Sequence, residues 1–321
     1  MRPAAAILLL ALGAAACGNG RSPTAPTTPP PPPPPVSASI TVSGHLVGTV
    51  SGTPLAEATV AFGSATARTD PTGAFQATLD APGVYPMTVT GSGLLERRSA
   101  FQAASGRDVT LDAIRLAAPF DLRFYQQLVR NHYDHPDTLE PTRRWTRAPQ
   151  VYVRTVDEAG RAVDATTLST VTSALINTAS LLTGHHFGLA GLQQGTDTRE
   201  GQPGWITVRF MAGVDSEHTC GIADIAREGG TIDLFWRERP CACDGSRMRP
   251  RTVRHELGHA FGLWHTDSPN DLMYGIGTTC DQLPNAREVF HAGVLYSRPP
   301  GNVDPDTDPT TAAPLAFRRA R

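Results

Sequence analysis

Lysine is missing from the sequence, since all 28 of the basic residues are arginine. The arginines are scattered among 30 acidic residues, and the formal net charge of the 321-residue chain is −2. Proteins that bind nucleic acids gather basic residues on one face or in one stretch of the chain. The sequence therefore predicts no nucleic-acid partner.

Long hydrophobic runs are also missing, and the apolar stretch over residues 4–12 is too short to span a bilayer as a mature helix. It follows Arg2 and leads through three alanines into Cys17. This arrangement resembles a bacterial lipoprotein signal peptide over residues 1–17, which implies a lipid anchor on Cys17. An ordinary cleaved signal peptide is the alternative. Both predict export, either to the bacterial cell envelope or as a secreted protein.

Cysteine is scarce, and without Cys17 four cysteines are left. They are Cys220, Cys241, Cys243 and Cys280. An even number in an oxidising compartment predicts two disulfides. A bridge between Cys241 and Cys243 would close a very tight loop, so we expect each of these two to pair with Cys220 or Cys280. A zinc site built from the cysteines is disfavoured, because the spacing lacks two Cys-x-x-Cys pairs.

Residues 18–37 are rich in proline, with an unbroken proline run from Pro29 to Pro35. Such a stretch cannot form a packed core and favours the extended polyproline II conformation. We therefore expect a stiff linker between the export signal and the folded part of the protein.

Residues 38–116 alternate apolar and polar side chains in short segments separated by Gly, Pro and Asp. This pattern predicts a small antiparallel β-sandwich. The expected strands are 40–42, 46–50, 59–62, 65–68, 75–78, 85–90 and 109–111. The segments GTVSGTPLAEATV (48–60), TDPTGAF (69–75) and GVYPMTV (83–89) resemble the carboxypeptidase-regulatory-like domain. The resemblance implies a structural or binding module without catalytic chemistry.

Helical and strand patterns mix from residue 119 onward, which predicts an α+β domain over residues 119–298. We expect a helix over 120–133, a strand over 151–156, and a helix that begins after Asp164 and ends at Gly184. Two further strands are expected over 204–210 and 231–236. Residues 299–321 form a polar, proline-rich tail with alternating aspartates, which we expect to be solvated. Calcium binding by these aspartates is the alternative.

The segment from His255 to His265 reads HELGHAFGLWH. His255 and His259 are one helical turn apart, so their imidazoles share a helix face and can bind one ion. Gly262 allows the backbone to leave the helix, so that His265 can supply a third ligand. Three imidazoles leave a fourth coordination position open, as in catalytic zinc sites. Glu256 is placed to contact a water on the metal.

This motif resembles that of the metzincin metallopeptidases, and the matrixin-like pattern in particular. Met273 lies eight residues after His265, where the family has a structural methionine beneath the metal. The resemblance implies a twisted sheet, a backing helix, an active-site helix and a C-terminal helix near residues 287–296. It also implies that the strand around 206–210 borders the cleft. If the segment 204–210 is an edge strand, it can pair with an extended peptide substrate. The alternative is an interior strand that only supplies core through Trp205 or Ile206.

The predicted function is therefore that of a monomeric zinc endopeptidase acting on peptides or proteins, with Zn²⁺ as cofactor and Glu256 as the catalytic base. Two alternatives stay open. The chain could be a non-catalytic, zinc-containing adhesin or binding lipoprotein, although such a protein does not need Glu256. It could also be a zinc amidase that acts on cell-wall cross-links, because the motif defines amide hydrolysis better than it defines the substrate.

Overall fold

The computed structural model describes residues 38–321 except positions 105, 107, 214–218, 238, 278, 312–314 and 321. The predicted signal peptide, the lipid anchor on Cys17 and the proline-rich linker lie outside the described residues. Among the described residues, no helix combines the length and the apolar composition that crossing a bilayer requires.

The N-terminal part of the described chain consists of two β-sheets that enclose an apolar core. Its strands are β1 (Ile40–Gly48), β2 (Thr59–Phe62), β3 (Ala65–Arg68), β4 (Ala74–Leu79), β5 (Gly83–Thr90), β6 (Arg97–Ala103) and β7 (Asp108–Ala113). One sheet has the order β4-β1-β7 and the other has the order β3-β2-β5-β6. Alternate side chains of β1 and β2, including Leu46 and Val60, are fully buried between the sheets.

Three details of these sheets differ from the sequence-based expectation. The segments 40–42 and 46–50 belong largely to the single strand β1, and β6 was not predicted. The sheets are also not entirely antiparallel, because β1 and β7 run parallel, with Gly44 opposite Val109. A parallel pair requires a long connection between its strands, and the intervening strands of both sheets provide it.

The second part of the chain has a six-stranded sheet in the order β13-β11-β12-β10-β8-β9, accompanied by helices. The strands are β8 (Gln150–Asp157), β9 (Gly191–Gly195), β10 (Trp205–Phe210), β11 (Gly221–Asp224), β12 (Gly230–Leu234) and β13 (Arg319–Ala320). The helices are α1 (Leu122–Arg130), α2 (Ala165–Thr178), α3 (Pro250–Ala260) and α4 (Ala286–Tyr296). Helix α3 packs against α2, β11 and β12. This mixture of sheets and helices agrees with the predicted α+β class.

Strand β10 is an interior strand, so the hypothesis that residues 204–210 form an edge strand is wrong and the interior alternative is confirmed. It pairs in parallel with both β12 and β8, and Val208 lies opposite Ile232 on one side and Val153 on the other. The apolar–polar alternation of this segment suggested one solvated face. In fact Thr207 is fully buried, and Arg209 pairs with Asp233. The position next to α3 is taken by β11, which runs antiparallel to β12.

Helix ends follow the expected capping chemistry. Asp164 accepts a hydrogen bond from the backbone N–H of Thr167 at 2.8 Å, which confirms it as the N-cap of α2. Asn285 caps α4 in the same way, and Glu288 completes a capping box there. These caps satisfy backbone N–H groups that the first turn of a helix leaves free.

The two parts of the chain share buried contacts. Leu95 and Ile114, which flank β6 and β7, belong to the apolar core of the second part. Arg298, which follows α4, is fully buried and contacts carboxylates on both sides. Its Nη1 lies 2.6 Å from Oδ2 of Asp112 in β7, and its Nε lies 2.7 Å from Oδ1 of Asp306.

The segment after residue 298 is packed against the rest of the protein at some of its described residues. Asn302 and Asp306 are 0% and 1% exposed, so the prediction of a solvated tail is wrong for these residues. The alternating aspartates face guanidinium groups, which supply the positive charge that a calcium ion would bring. Asp306 pairs with Arg298, and Asp308 lies 3.3 Å from Arg97.

Candidate metal centre

Three histidine side chains converge on one point beside α3. His255 and His259 project from successive turns of the helix, and His265 follows its end. The Nε2 atom of His259 lies 3.1 Å from that of His255 and 3.2 Å from that of His265. In a tetrahedral zinc site with bonds of 2.0–2.1 Å, ligand nitrogens are about 3.3 Å apart. The three imidazoles therefore fit around a single metal ion.

Gly262 provides the change of direction between the helix and His265. Its φ of +99° lies in the region that side-chain-bearing residues rarely adopt. A Cβ at this position would also collide with the backbone oxygen of Arg143. Only glycine fits here, as expected from the sequence.

Hydrogen bonds orient each imidazole so that Nε2 points to the common centre. Nδ1 of His255 lies 2.8 Å from the carbonyl oxygen of Leu272, and Nδ1 of His259 lies 2.8 Å from that of Leu263. A carbonyl can only accept, so Nδ1 carries the proton and Nε2 presents a lone pair. Burial lowers the pKa of His255 to about 3 and that of His259 well below its usual value. Both are thus neutral, which is the form that binds metal.

His265 is oriented by a carboxylate instead of a carbonyl. Its Nδ1 lies 2.9 Å from Oδ2 of Asp134, which sits in the loop after α1. Burial alone would raise the pKa of Asp134, but the hydrogen bond from His265 lowers it overall. Sequence reasoning missed Asp134, because a residue 131 positions from its partner carries no spacing signal.

We expect Asp134→Asn to weaken metal binding on the order of 10- to 100-fold, because it removes the charge that supports His265. Competition with a chromophoric chelator measures the change in affinity. The matched control is Asp137→Asn, since Asp137 is an exposed aspartate in the same loop. Equal metal affinities of both variants and the wild type would contradict this role.

Glu256 directly follows His255 in α3 and is 3% exposed. The Glu256 side chain lies against Gly221 of β11. If Gly221 carried a Cβ atom, that atom would be only 2.5 Å from Cγ of Glu256. Its Oε2 atom has no hydrogen-bond partner among the described residues. Burial raises the pKa of this carboxyl well above its usual value. A buried carboxylate oxygen without a partner lowers stability, so the geometry indicates a role other than structural support.

Met273 lies beneath α3, the helix that carries His255 and His259. It is fully buried, and a Cβ on Gly258 of α3 would collide with its Sδ. The backbone of this segment is fixed by Glu288, whose carboxylate accepts hydrogen bonds from the N–H groups of Leu272 and Met273 at 3.0 and 2.9 Å. Leu272 in turn holds His255. Glu288 thus connects α4 to the metal centre.

Glu288→Gln is expected to lower the free energy of unfolding by about 2 kcal/mol, the contribution of hydrogen bonds to a charged group. The glutamine amide keeps one acceptor oxygen but points an N–H₂ group at backbone donors. Burial raises the pKa of Glu288 to about 7, so urea unfolding is best measured at pH 8, where the carboxylate is ionised. Glu57→Gln serves as control, since the Glu57 side chain is 82% exposed. A loss no larger than in the control would contradict the role of Glu288.

Two disulfides flank the centre, and, as expected, Cys241 and Cys243 pair with Cys220 and Cys280 and not with each other. Cys220 is bonded to Cys241, and Cys243 is bonded to Cys280. The first joins the residue before β11 to the loop that leads to α3. The second joins that loop to the segment after Met273. Disulfides persist in oxidising compartments, which indicates an extracellular or periplasmic protein.

Comparisons with known proteins do not identify a family for this chain. No family model and no curated protein matches the chain. Two matching structures are interface mutants of a type II cohesin–X–dockerin complex from Acetivibrio cellulolyticus. One is 25% identical (TM-score 0.20) over 23% of this chain and 56% of that chain. The other is 24% identical (TM-score 0.20) over 24% and 58%. This chain thus spans little more than half of each.

A further match is metalloproteinase-II from Bacteroides fragilis, 13% identical with a TM-score of 0.33 over 81% of this chain and 92% of that chain. TM-scores this low do not establish a shared fold.

Proposed function

We propose that this chain is a zinc-dependent endopeptidase. The observation that carries the proposal is the arrangement of three oriented, buried imidazoles around one point, together with the buried and unpaired carboxylate oxygen of Glu256, the residue that follows His255 in α3. Three nitrogen ligands with an open position are the donor set of catalytic zinc. The matrixin-like spacing of the motif and the position of Met273 support the same assignment.

The chemistry follows from what each residue offers. When bound, zinc would polarise the scissile carbonyl and acidify a water molecule. His255, His259 and His265 would hold the ion, and their Nδ1 contacts keep the rings in place. Glu256 accepts the proton of the attacking water and delivers it to the amine that leaves. No other described group competes for Oε2 of Glu256 by hydrogen bonding.

The two alternative functions make different demands on the site. A zinc-containing adhesin needs the three histidines but gains nothing from an unpaired, buried Glu256. A cell-wall amidase would use the same groups as a peptidase, so only the substrate distinguishes them. The proposal includes a monomeric enzyme exported to the cell envelope, with the lipid on Cys17 as its anchor; the two disulfides fit such a compartment.

The test is to incubate the zinc-loaded protein with a diverse peptide library and, separately, with purified cell-wall fragments. Mass spectrometry should find cleavage of internal peptide bonds that a chelator stops and added zinc restores. Cleavage of the cell-wall fragments alone would favour the amidase. If protein of verified zinc content cleaves neither the peptides nor the cell-wall fragments, the proposal that the chain is an enzyme is wrong.

A further inference from the structure

Part of the chain's own C-terminal segment lies along the strand beside the metal centre. Strand β13 pairs antiparallel with β11, with Arg319 opposite Asp224 and Ala320 opposite Ala223. The backbone N–H of Ile225 also donates to the carbonyl oxygen of Arg318 at 3.1 Å. Since β11 begins at Gly221, which contacts Glu256, this segment runs toward the centre as a bound peptide would.

Consecutive residues of the segment each meet a specific group on the protein. Arg143 donates from Nη1 to the carbonyl oxygen of Ala316 at 2.6 Å. The guanidinium of Arg227 lies 4.7 Å from the ring centre of Phe317. Arg318 donates from Nε to Glu140 at 2.7 Å. The segment is therefore held by contacts to successive side chains and carbonyls.

Arg319 meets two buried carboxylates. Its Nη2 contacts Oδ2 of Asp233, and its Nε lies 3.7 Å from Oδ1 of Asp224. The side chains of Asp233 and Asp224 are 5% and 4% exposed. Arg209 binds Asp233 through two hydrogen bonds of 2.7 and 2.8 Å and neutralises one of the two charges.

The second negative charge, that of Asp224, is faced only by Arg319 and by the exposed Arg227 among the described residues. Oδ1 of Asp224 has no hydrogen-bond partner among the described residues. Arg227 is 3.6 Å from the other oxygen, but its side chain is 52% exposed, and exposed pairs contribute little. A buried carboxylate oxygen without a hydrogen-bond partner binds favourably to a guanidinium group that can approach it closely.

The residue after the arginine meets an apolar surface. Ala320 packs with Ile225 and Trp264 in a small cluster separate from the main cores. Trp264 immediately precedes the ligand His265. The site beside β11 therefore combines a carboxylate pair with an adjoining apolar contact, in register with a paired backbone.

We propose that Asp224 and Asp233 form a subsite for an arginine side chain of an extended peptide bound along β11, and that residues 316–320 are its internal occupant. Antiparallel register places the peptide residue three positions after the arginine opposite Gly221, about 10 Å further along. That residue lies beside Glu256. The inference rests on the proposed function in taking a peptide as substrate, and it adds a preference for arginine about three positions before the cleaved bond.

The experiment measures binding without turnover, in the Glu256→Gln background, by fluorescence anisotropy of a labelled peptide LAFRRA, the sequence of residues 315–320. Arg319→Ala should loosen the internal segment and increase affinity for the probe about tenfold or more. Arg68→Ala, which removes an arginine side chain that is 70% exposed, should leave the affinity unchanged. In the Arg319→Ala protein, a probe with glutamine at its second arginine should bind about tenfold more weakly than LAFRRA.

Asp224→Asn, added to the Arg319→Ala protein, should remove the difference between the arginine and glutamine probes. Asparagine keeps an acceptor for the backbone N–H of Thr231, which Asp224 binds at 3.0 Å. If this variant does not fold, the comparison of the arginine and glutamine probes in the Arg319→Ala protein still tests the inference, because that comparison changes only the peptide. Equal affinity of the wild type and Arg319→Ala, or equal binding of both probes, would overturn the inference. Peptide cleavage in the library would then still support the proposed function, so the two failures are distinct.

Discussion

Glu256→Gln is expected to lower kcat/KM for peptide cleavage by about 10²- to 10⁴-fold while zinc content stays the same. Glutamine preserves the shape of the side chain but cannot accept the proton of the attacking water. The ligands His255, His259 and His265 are untouched, and their Nδ1 contacts do not involve Glu256. Glu57→Gln, on an exposed side chain in the N-terminal sheets, is the control for the loss of a carboxylate.

The measurement pairs a peptidase assay with metal analysis of the same preparation. Normal turnover in Glu256→Gln would show that another group handles the proton. Loss of zinc together with activity would show that Glu256 supports the metal instead of the chemistry. Only an inactive protein that retains its zinc agrees with the proposed role.

His259→Ala is expected to remove metal binding almost completely. His259 is fully buried, and its Nε2 lies 3.1 Å from Nε2 of His255 and 3.2 Å from Nε2 of His265. Without it, two imidazoles are left, and two ligands do not make a stable zinc site. Zinc per chain after dialysis should fall from about one to near zero, with loss of activity.

Thermal unfolding gives a second measurement of His259→Ala. A ligand that binds only the folded state raises the melting temperature, so added zinc should stabilise the wild type and leave the variant unaffected. The matched control is His185→Ala, because His185 is exposed. Zinc retention by His259→Ala at the wild-type level would rule out the three-histidine centre.

The sequence was most informative where the information is local. His255 and His259 share a helix face because of their spacing, and Gly262 must end that helix because a glycine is needed for its positive φ. That Cys241 and Cys243 do not pair with each other was predicted from the short loop such a bridge would close, whereas the choice between the two remaining pairings was left open. Each of these conclusions depends on residues within a few positions of one another.

The remaining parts depend on residues far apart in sequence. Asp134 reaches His265 only through the fold. Strand β11 was overlooked because it is four residues long and buried throughout, so it shows no alternation. The cleft-bordering position was assigned instead to β10, whose two edges are in fact paired with β12 and β8. Strand β13 has two residues and no pattern at all.

The buried contacts between the two parts of the chain bear on how such a protein can evolve. Leu95 and Ile114 contribute to the core of the metal-bearing part, and Arg298 of that part faces Asp112 of the N-terminal sheets. Losing the N-terminal sheets by deletion of their coding region would expose that core and take one carboxylate from Arg298. We therefore expect the two parts to be inherited as a pair, and an exchange of one by recombination to require compensating substitutions in the other.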